Sequence, residues 1–145
     1  MPICLACGAR LAAAETCTDV FNRGQLLEVE QPSYYTVHHL SVPCYMFQHN
    51  IYSQPGWLAV RQLLFEFVHE GLTPQAVRRR DRRAVDSGHR TFSFTKGPKL
   101  AGVENIRWRF TVAEVRLDTP ENYCADVRRW AAIILEDSQS LIPHA

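Results

Sequence analysis

Thiols and imidazoles crowd the first third of this chain: Cys4-Leu-Ala-Cys7 followed by Gly8, then Cys17, then a histidine-bearing stretch that ends in Gln48-His49. Two thiolates at CxxC spacing can both turn toward one ion, and Gly8, directly after the second, gives the backbone freedom that lets amides approach the sulfurs. Soft thiolates select Zn2+, an ion that needs no redox protection. A redox pair shares the CxxC spacing, but that motif normally sits at a helix N-terminus behind a strand, whereas Cys4 stands at the very start of this chain.

A third thiolate is expected from Cys17, at the mouth of a helix whose N-terminal field favours negative charge. His38, His39, Cys44 and His49 compete for the fourth position. On a straight helix His38 and His49 share a face but stand about 16 Å apart along the axis, so one ion takes only one of them unless Pro43 kinks the helix severely. Tyr34, His38, Ser41, Tyr45 and His49 also line one stripe, as acid–base groups around a pocket would. No carboxylate lies on that stripe to orient an imidazole, which favours buried polar residues paired to their neighbours. Glu28 or Glu30 would have to approach from the preceding helix.

The elements that position these groups are marked by helix punctuation. A first helix is expected from Thr16 to Glu30, with Thr16 or Thr18 as N-cap and Val20, Phe21, Leu26 and Leu27 as its apolar positions; Gly24 weakens it and Pro32 ends it. A second runs from about Ser33 to Gln48, kinked at Pro43. The third starts near Pro55 and carries Trp57, Val60, Leu63, Leu64, Phe67 and Val68 at helical spacing, closing at Gly71. Thr73-Pro74 opens a fourth, polar helix to about Asp86. Between His89 and Val115 the alternation Thr91–Thr95 and Arg107–Val112 allows one or two short strands or extended loops. Thr119-Pro120-Glu121 caps a terminal helix whose inner face is Tyr123, Val127, Trp130, Ala131 and Ile134. The expected fold is mainly α. It is a single domain over residues 1–145, a compact bundle of about five helices with an N-terminal CxxC zinc knuckle (1–17) and a short extended insert (89–115). Trp57, Trp108 and Trp130 are expected to be core anchors, and Cys124 a small buried residue.

At 145 residues and 46% hydrophobic composition, the chain can bury a core of its own. No apolar run approaches the roughly 20 residues that cross a bilayer, and the start lacks a secretory signal pattern, so no membrane association is expected. Five cysteines, an odd number, three of them before residue 18, suit metal ligation in the cytoplasm better than a disulfide framework. The net charge of +1 hides an asymmetry: residues 1–74 contribute −3, 75–110 contribute +7 and 111–145 contribute −3. Arg78, Arg79, Arg82 and Arg83 dominate the middle block. It reads either as a solvated helix face or as a surface for a protein or nucleic-acid partner.

The run Cys4-x-x-Cys7-Gly8, Cys17, Glu28, Tyr34, Val37-His38, Leu40-Ser41-Val42, Tyr45 and Gln48-His49, with Phe110–Val115 and Val127–Ala131 near the end, resembles the DUF5946 family of uncharacterised bacterial proteins. The resemblance touches both ends of the chain and implies a small, zinc-binding, mostly helical protein. The chain departs from the family pattern at Pro43, Cys44 and Asn50. Arg61 and Tyr123 stand where relatives often carry histidine, which weakens a catalytic reading here.

Three functions compete. A zinc-stabilised binding or adaptor module needs a closed four-ligand site. A zinc hydrolase or lyase needs three protein ligands and an open water position, with Glu28 behind it and His49 or Tyr45 as proton carrier. A thiol-based metal or redox sensor, using Cys4, Cys7 and Cys17, needs a metal that leaves easily.

Overall fold

The computed structural model describes residues 2–84 and 94–142, and the side chains of 81–84 are outside that description. The chain is mainly helical, with six α-helices and no strand among the described residues: α1 Cys17–Glu30, α2 Pro32–Tyr35, α3 His38–Gln48, α4 Gln54–His69, α5 Pro74–Ala84 and α6 Pro120–Asp137. Before α1, an antiparallel bridge between Ile3 and Arg10 makes a small hairpin, closed by the Cys4 amide on the Ala9 carbonyl at 2.9 Å.

The cap residues act as their types predict. Thr16 accepts from the Asp19 amide at 3.1 Å while Asp19 reaches back to the Thr16 amide at 3.0 Å, a reciprocal capping box at the start of α1. Ser53, Thr73 and Thr119 cap α4, α5 and α6 in the same sense, and Gly71, at φ +69°, ends α4 in the left-handed region.

α6 packs against α3 and α4, and α1 against α2. Its five expected inner residues, Tyr123, Val127, Trp130, Ala131 and Ile134, are all buried. Trp57 of α4 stacks on Phe47 of α3 with ring centroids 4.4 Å apart. Arg61 is buried and donates to the Leu135 carbonyl at 2.8 Å and to Ser138 Oγ at 2.9 Å, placing a cation against the C-terminal turn of α6.

Two expectations about the elements are corrected. The helix expected over Ser33–Gln48 is two helices, and the break falls at Thr36-Val37, with Pro43 lying inside a continuing α3. On α1 the buried residues are Cys17, Gly24 and Glu28, and Leu26 is exposed, because the face turned inward carries chemistry as well as grease. Of the short strands or extended loops allowed between His89 and Val115, the Arg107–Val112 run takes the loop form and ends in a 3-10 turn at Val112–Glu114. Phe110 and Val112 do point inward, but side chains take the backbone partners a neighbouring strand would have supplied: Gln48 Nε2 donates to the Phe110 carbonyl at 2.7 Å, and Asp137 accepts from the Arg109 amide at 2.9 Å. The other alternating run, Thr91–Thr95, lies largely outside the described residues.

Candidate metal centre

The hairpin, the first turn of α1 and the end of α3 converge. One ligand atom from each of Cys4, Cys7, Cys17 and His49 lies within 4.8 Å of all the others, so the group could hold a metal ion. Cys7 Sγ stands 3.4 Å from Cys17 Sγ, and Cys4 Sγ stands 3.7 Å from His49 Nε2. All three cysteines are free thiols at these separations, far beyond the S–S bond length of about 2.05 Å.

Local backbone explains why the hairpin presents its sulfurs. Gly8 adopts φ +79°, and its amide bonds the Cys4 carbonyl at 2.8 Å, which curls the CxxC loop. In that curl the amides of Cys7 and Ala6 turn toward the Cys4 sulfur, and the Ala9 amide turns toward the Cys7 sulfur. Burial pushes the Cys4 thiol up, but these amides outweigh it and hold the group below its ordinary value. Burial dominates at Cys7 and pushes it up to about 11; burial, then the neighbouring Cys7 thiol, pushes Cys17 up as well. Three thiolates in one pocket repel one another, and a divalent cation among them reverses that balance.

His49 is held with its lone pair toward the sulfurs. Its Nδ1 donates to the Tyr45 carbonyl at 2.7 Å, which leaves Nε2 unprotonated on the cysteine side in the neutral ring. The imidazole stacks on Tyr45 at 4.1 Å, Tyr45 stacks on Phe21 at 4.0 Å, and the Tyr45 hydroxyl meets Thr18 Oγ1 at 3.1 Å. Phe21 is one helical turn beyond Cys17, so the helix that supplies a thiol also supplies the end of the aromatic stack that fixes the imidazole.

The structure places His38 elsewhere. At the other end of α3, its Nδ1 meets Glu28 Oε1 at 2.7 Å, and the axial separation of the two histidines keeps His38 out of the cysteine group. Of the other candidates for the fourth position, Cys44 is wholly buried in the core and His39 packs its ring edge against Phe67.

The Tyr–His stripe is therefore divided. Tyr45 and His49 belong to the cysteine group. His38 and Ser41 belong to a second centre around Glu28, which reaches them from α1 as the missing carboxylate. Glu28 is 2% exposed, and its Oε2 also accepts from the Tyr123 hydroxyl and from Gln25 Nε2 at 3.2 Å. From the residues Tyr123 was legible as a core position of α6, and from the family resemblance as a place where relatives often carry histidine; Gly24 was legible as a weak point of α1. A Cβ on Gly24 would stand 3.1 Å from the Tyr123 hydroxyl oxygen, so the glycine makes room for the phenol that reaches Glu28.

The basic residues of α5 point outward: Arg78, Arg79 and Arg80 are exposed, and Arg80 pairs with Glu66 at 3.3 Å. Arg82 and Arg83 lie on the same helix, with side chains outside the description. Among the described residues no helix is long and apolar enough to cross a membrane.

Compared with known proteins, residues 2–139 match the model of DUF5946, described as a family of unknown function. No curated protein and no solved structure matches the chain.

Proposed function

The chain belongs to the DUF5946 family, and from that premise we propose that it is a zinc-stabilised binding module, in which Cys4, Cys7, Cys17 and His49 hold one Zn2+ in a closed structural site. The observation that carries this reading is the convergence of four side-chain donors, three sulfurs and one nitrogen, from three separate pieces of chain. Tetrahedral zinc with bonds of about 2.3 Å to sulfur and 2.0 Å to nitrogen sets its ligands about 3.5–3.8 Å apart. The separations of 3.4 Å and 3.7 Å within the group lie close to that range. A hydrolytic zinc keeps a coordination position for water, and four protein donors fill it. The carbonyl of Tyr45 behind His49 and the amides behind the sulfurs are the outer contacts such a site uses.

The metal's work in this reading is mechanical. It fastens the hairpin to α1 and α3, which have no covalent link to one another there. The binding face is the outward side of α5, where Arg78 and Arg79 stand with Arg82 and Arg83 on the same helix, and the partner is acidic.

Elemental analysis of the purified protein, with X-ray absorption at the zinc edge, tests the site. The expected result is one zinc per chain with three sulfur neighbours and one nitrogen. A water oxygen in place of a protein donor overturns the closed site, and absence of metal overturns the reading as a whole. For the face on α5, affinity for an acidic partner such as nucleic acid should fall steeply with salt, and replacing Arg78, Arg79, Arg82 and Arg83 by glutamine should flatten the slope. A salt-independent interaction removes the partner assignment.

A further inference from the structure

The centre around Glu28 shares no residue with the cysteine group. Glu28 Oε2 takes the Tyr123 hydroxyl, Ser41 Oγ at 2.7 Å and Gln25 Nε2, which leaves Oε1 to His38. An ionised carboxylate only accepts, so His38 Nδ1 carries the proton and Nε2 is the nitrogen turned away from Glu28. Tyr35 lies flat on the imidazole, centroids 4.7 Å apart and planes 14° apart, so the ring is held on its face and on one edge.

His38 is nevertheless accessible. Its side chain is 41% exposed, and it lines an open cleft of about 340 Å³ between α2–α3 and α5, with Tyr35, Thr36, His39, Gln75 and Arg78. Among the described residues no carboxylate lines this cleft. Arg78 makes no ion pair among the described residues, whereas Arg80 two positions on is engaged by Glu66. The groups that bear on His38 are Glu28 from α1, His39 beside it on α3, Arg78 from α5, and Tyr123 through its bond to Glu28; Arg128 of α6 acts on His39. A ligand entering here meets a guanidinium and two imidazoles, one of them already oriented, so little ordering remains for binding to accomplish.

We propose that this cleft binds a small oxyanion, the phosphate or carboxylate group of a small molecule, between the Arg78 guanidinium and the Nε2 edge of His38, with Glu28 as the residue that positions the imidazole. With a proton taken from solvent on Nε2, the imidazolium donates from both nitrogens, to Glu28 on one side and to the ligand on the other. The site goes beyond the metal reading and does not depend on it.

The test is titration of the full-length chain with inorganic phosphate and, separately, with acetate, at constant ionic strength, following the histidine ring nitrogens by NMR. The His38 Nε2 resonance should shift saturably; saturation by phosphate identifies a phosphate ligand, and saturation by acetate alone a carboxylate. Arg78→Gln should weaken binding about tenfold or more, the effect of losing one charge-assisted contact, while Arg80→Gln, on the same helix but outside the cleft, should leave it unchanged. No saturable shift with either anion overturns the proposal, and so does equal weakening by the two variants, which is diffuse attraction to a basic helix. The positioning role has its own readout. The neutral His38 ring should carry its proton on Nδ1, and Glu28→Gln should mix the tautomers; if that variant does not fold, an Nε2-protonated wild-type ring is enough to overturn the role.

Discussion

The two buried centres of this molecule solve opposite problems. The cysteine group gathers three sulfurs and an imidazole, all suited to give electrons to a cation, and backbone amides turn toward two of the sulfurs. The Glu28 centre gathers Tyr123, Ser41, Gln25 and His38 around one carboxylate, so every donor has an acceptor within the chain. In the zinc reading the first centre is completed by an ion from outside, whereas the hydrogen bonds of the second close within the chain. Loss of the first should therefore act on whether the protein folds, and loss of the second on how firmly and in what arrangement it does.

The largest effect that can separate them is removal of the metal. Structural zinc contributes on the order of 10 kcal/mol to a folded site, comparable with the whole net stability of about 5–15 kcal/mol of a domain. A zinc chelator, or Cys7→Ser, should abolish the cooperative melt or lower Tm by more than about 10 °C, as followed by circular dichroism. A chelated protein that melts unchanged would make the two centres alike and break the comparison.

A smaller effect comes from the other side. Glu28→Leu leaves the Tyr123 hydroxyl buried without an acceptor and Ser41 Oγ with only the His38 carbonyl at 3.4 Å, which should cost about 2–4 kcal/mol in urea unfolding. Tyr123→Phe removes one donor and orphans nothing, so it should cost less, about 1–2 kcal/mol. Both variants should retain full metal stoichiometry. If either lost metal in proportion to stability, the centres would be coupled and not separate.

The same contrast explains what could be read from the residues in advance. Thr16, Ser53, Thr73 and Thr119 announced their helices because capping is local chemistry. The inner face of α6 was legible because Tyr123, Val127, Trp130, Ala131 and Ile134 recur at helical spacing. On α1 the apolar pattern pointed to Leu26, which is exposed, because the inward positions are Cys17, Gly24 and Glu28, residues a hydrophobic reading passes over. The cysteines were legible from spacing, but the choice between His38 and His49 was not, since it depends on the Tyr45 carbonyl behind one ring and Glu28 behind the other. The break at Thr36-Val37 escaped because the proline signal pointed to Pro43, which the continuing α3 accommodates.

A second carboxylate, outside both centres, sharpens the comparison at its weak end. Asp126 on α6 accepts from the Arg116 amide at 2.9 Å and from its guanidinium at 2.9 and 3.1 Å, and the Arg116 side chain is 57% exposed. Hydrogen bonding from Arg116 holds the Asp126 carboxyl below its ordinary value despite some desolvation. Because the folded value is the lower one, the pair stabilises fully above the unfolded value of about 3.9 and loses its contribution as pH falls through the folded value. Asp126→Asn should therefore lower Tm slightly at neutral pH, and the difference from wild type should shrink toward zero in strong acid. Solvent around Arg116 screens the pair, so this should be the smallest of the three effects. A pH-independent difference would mean that the charge of Asp126 has no part in holding α6 to the segment before it.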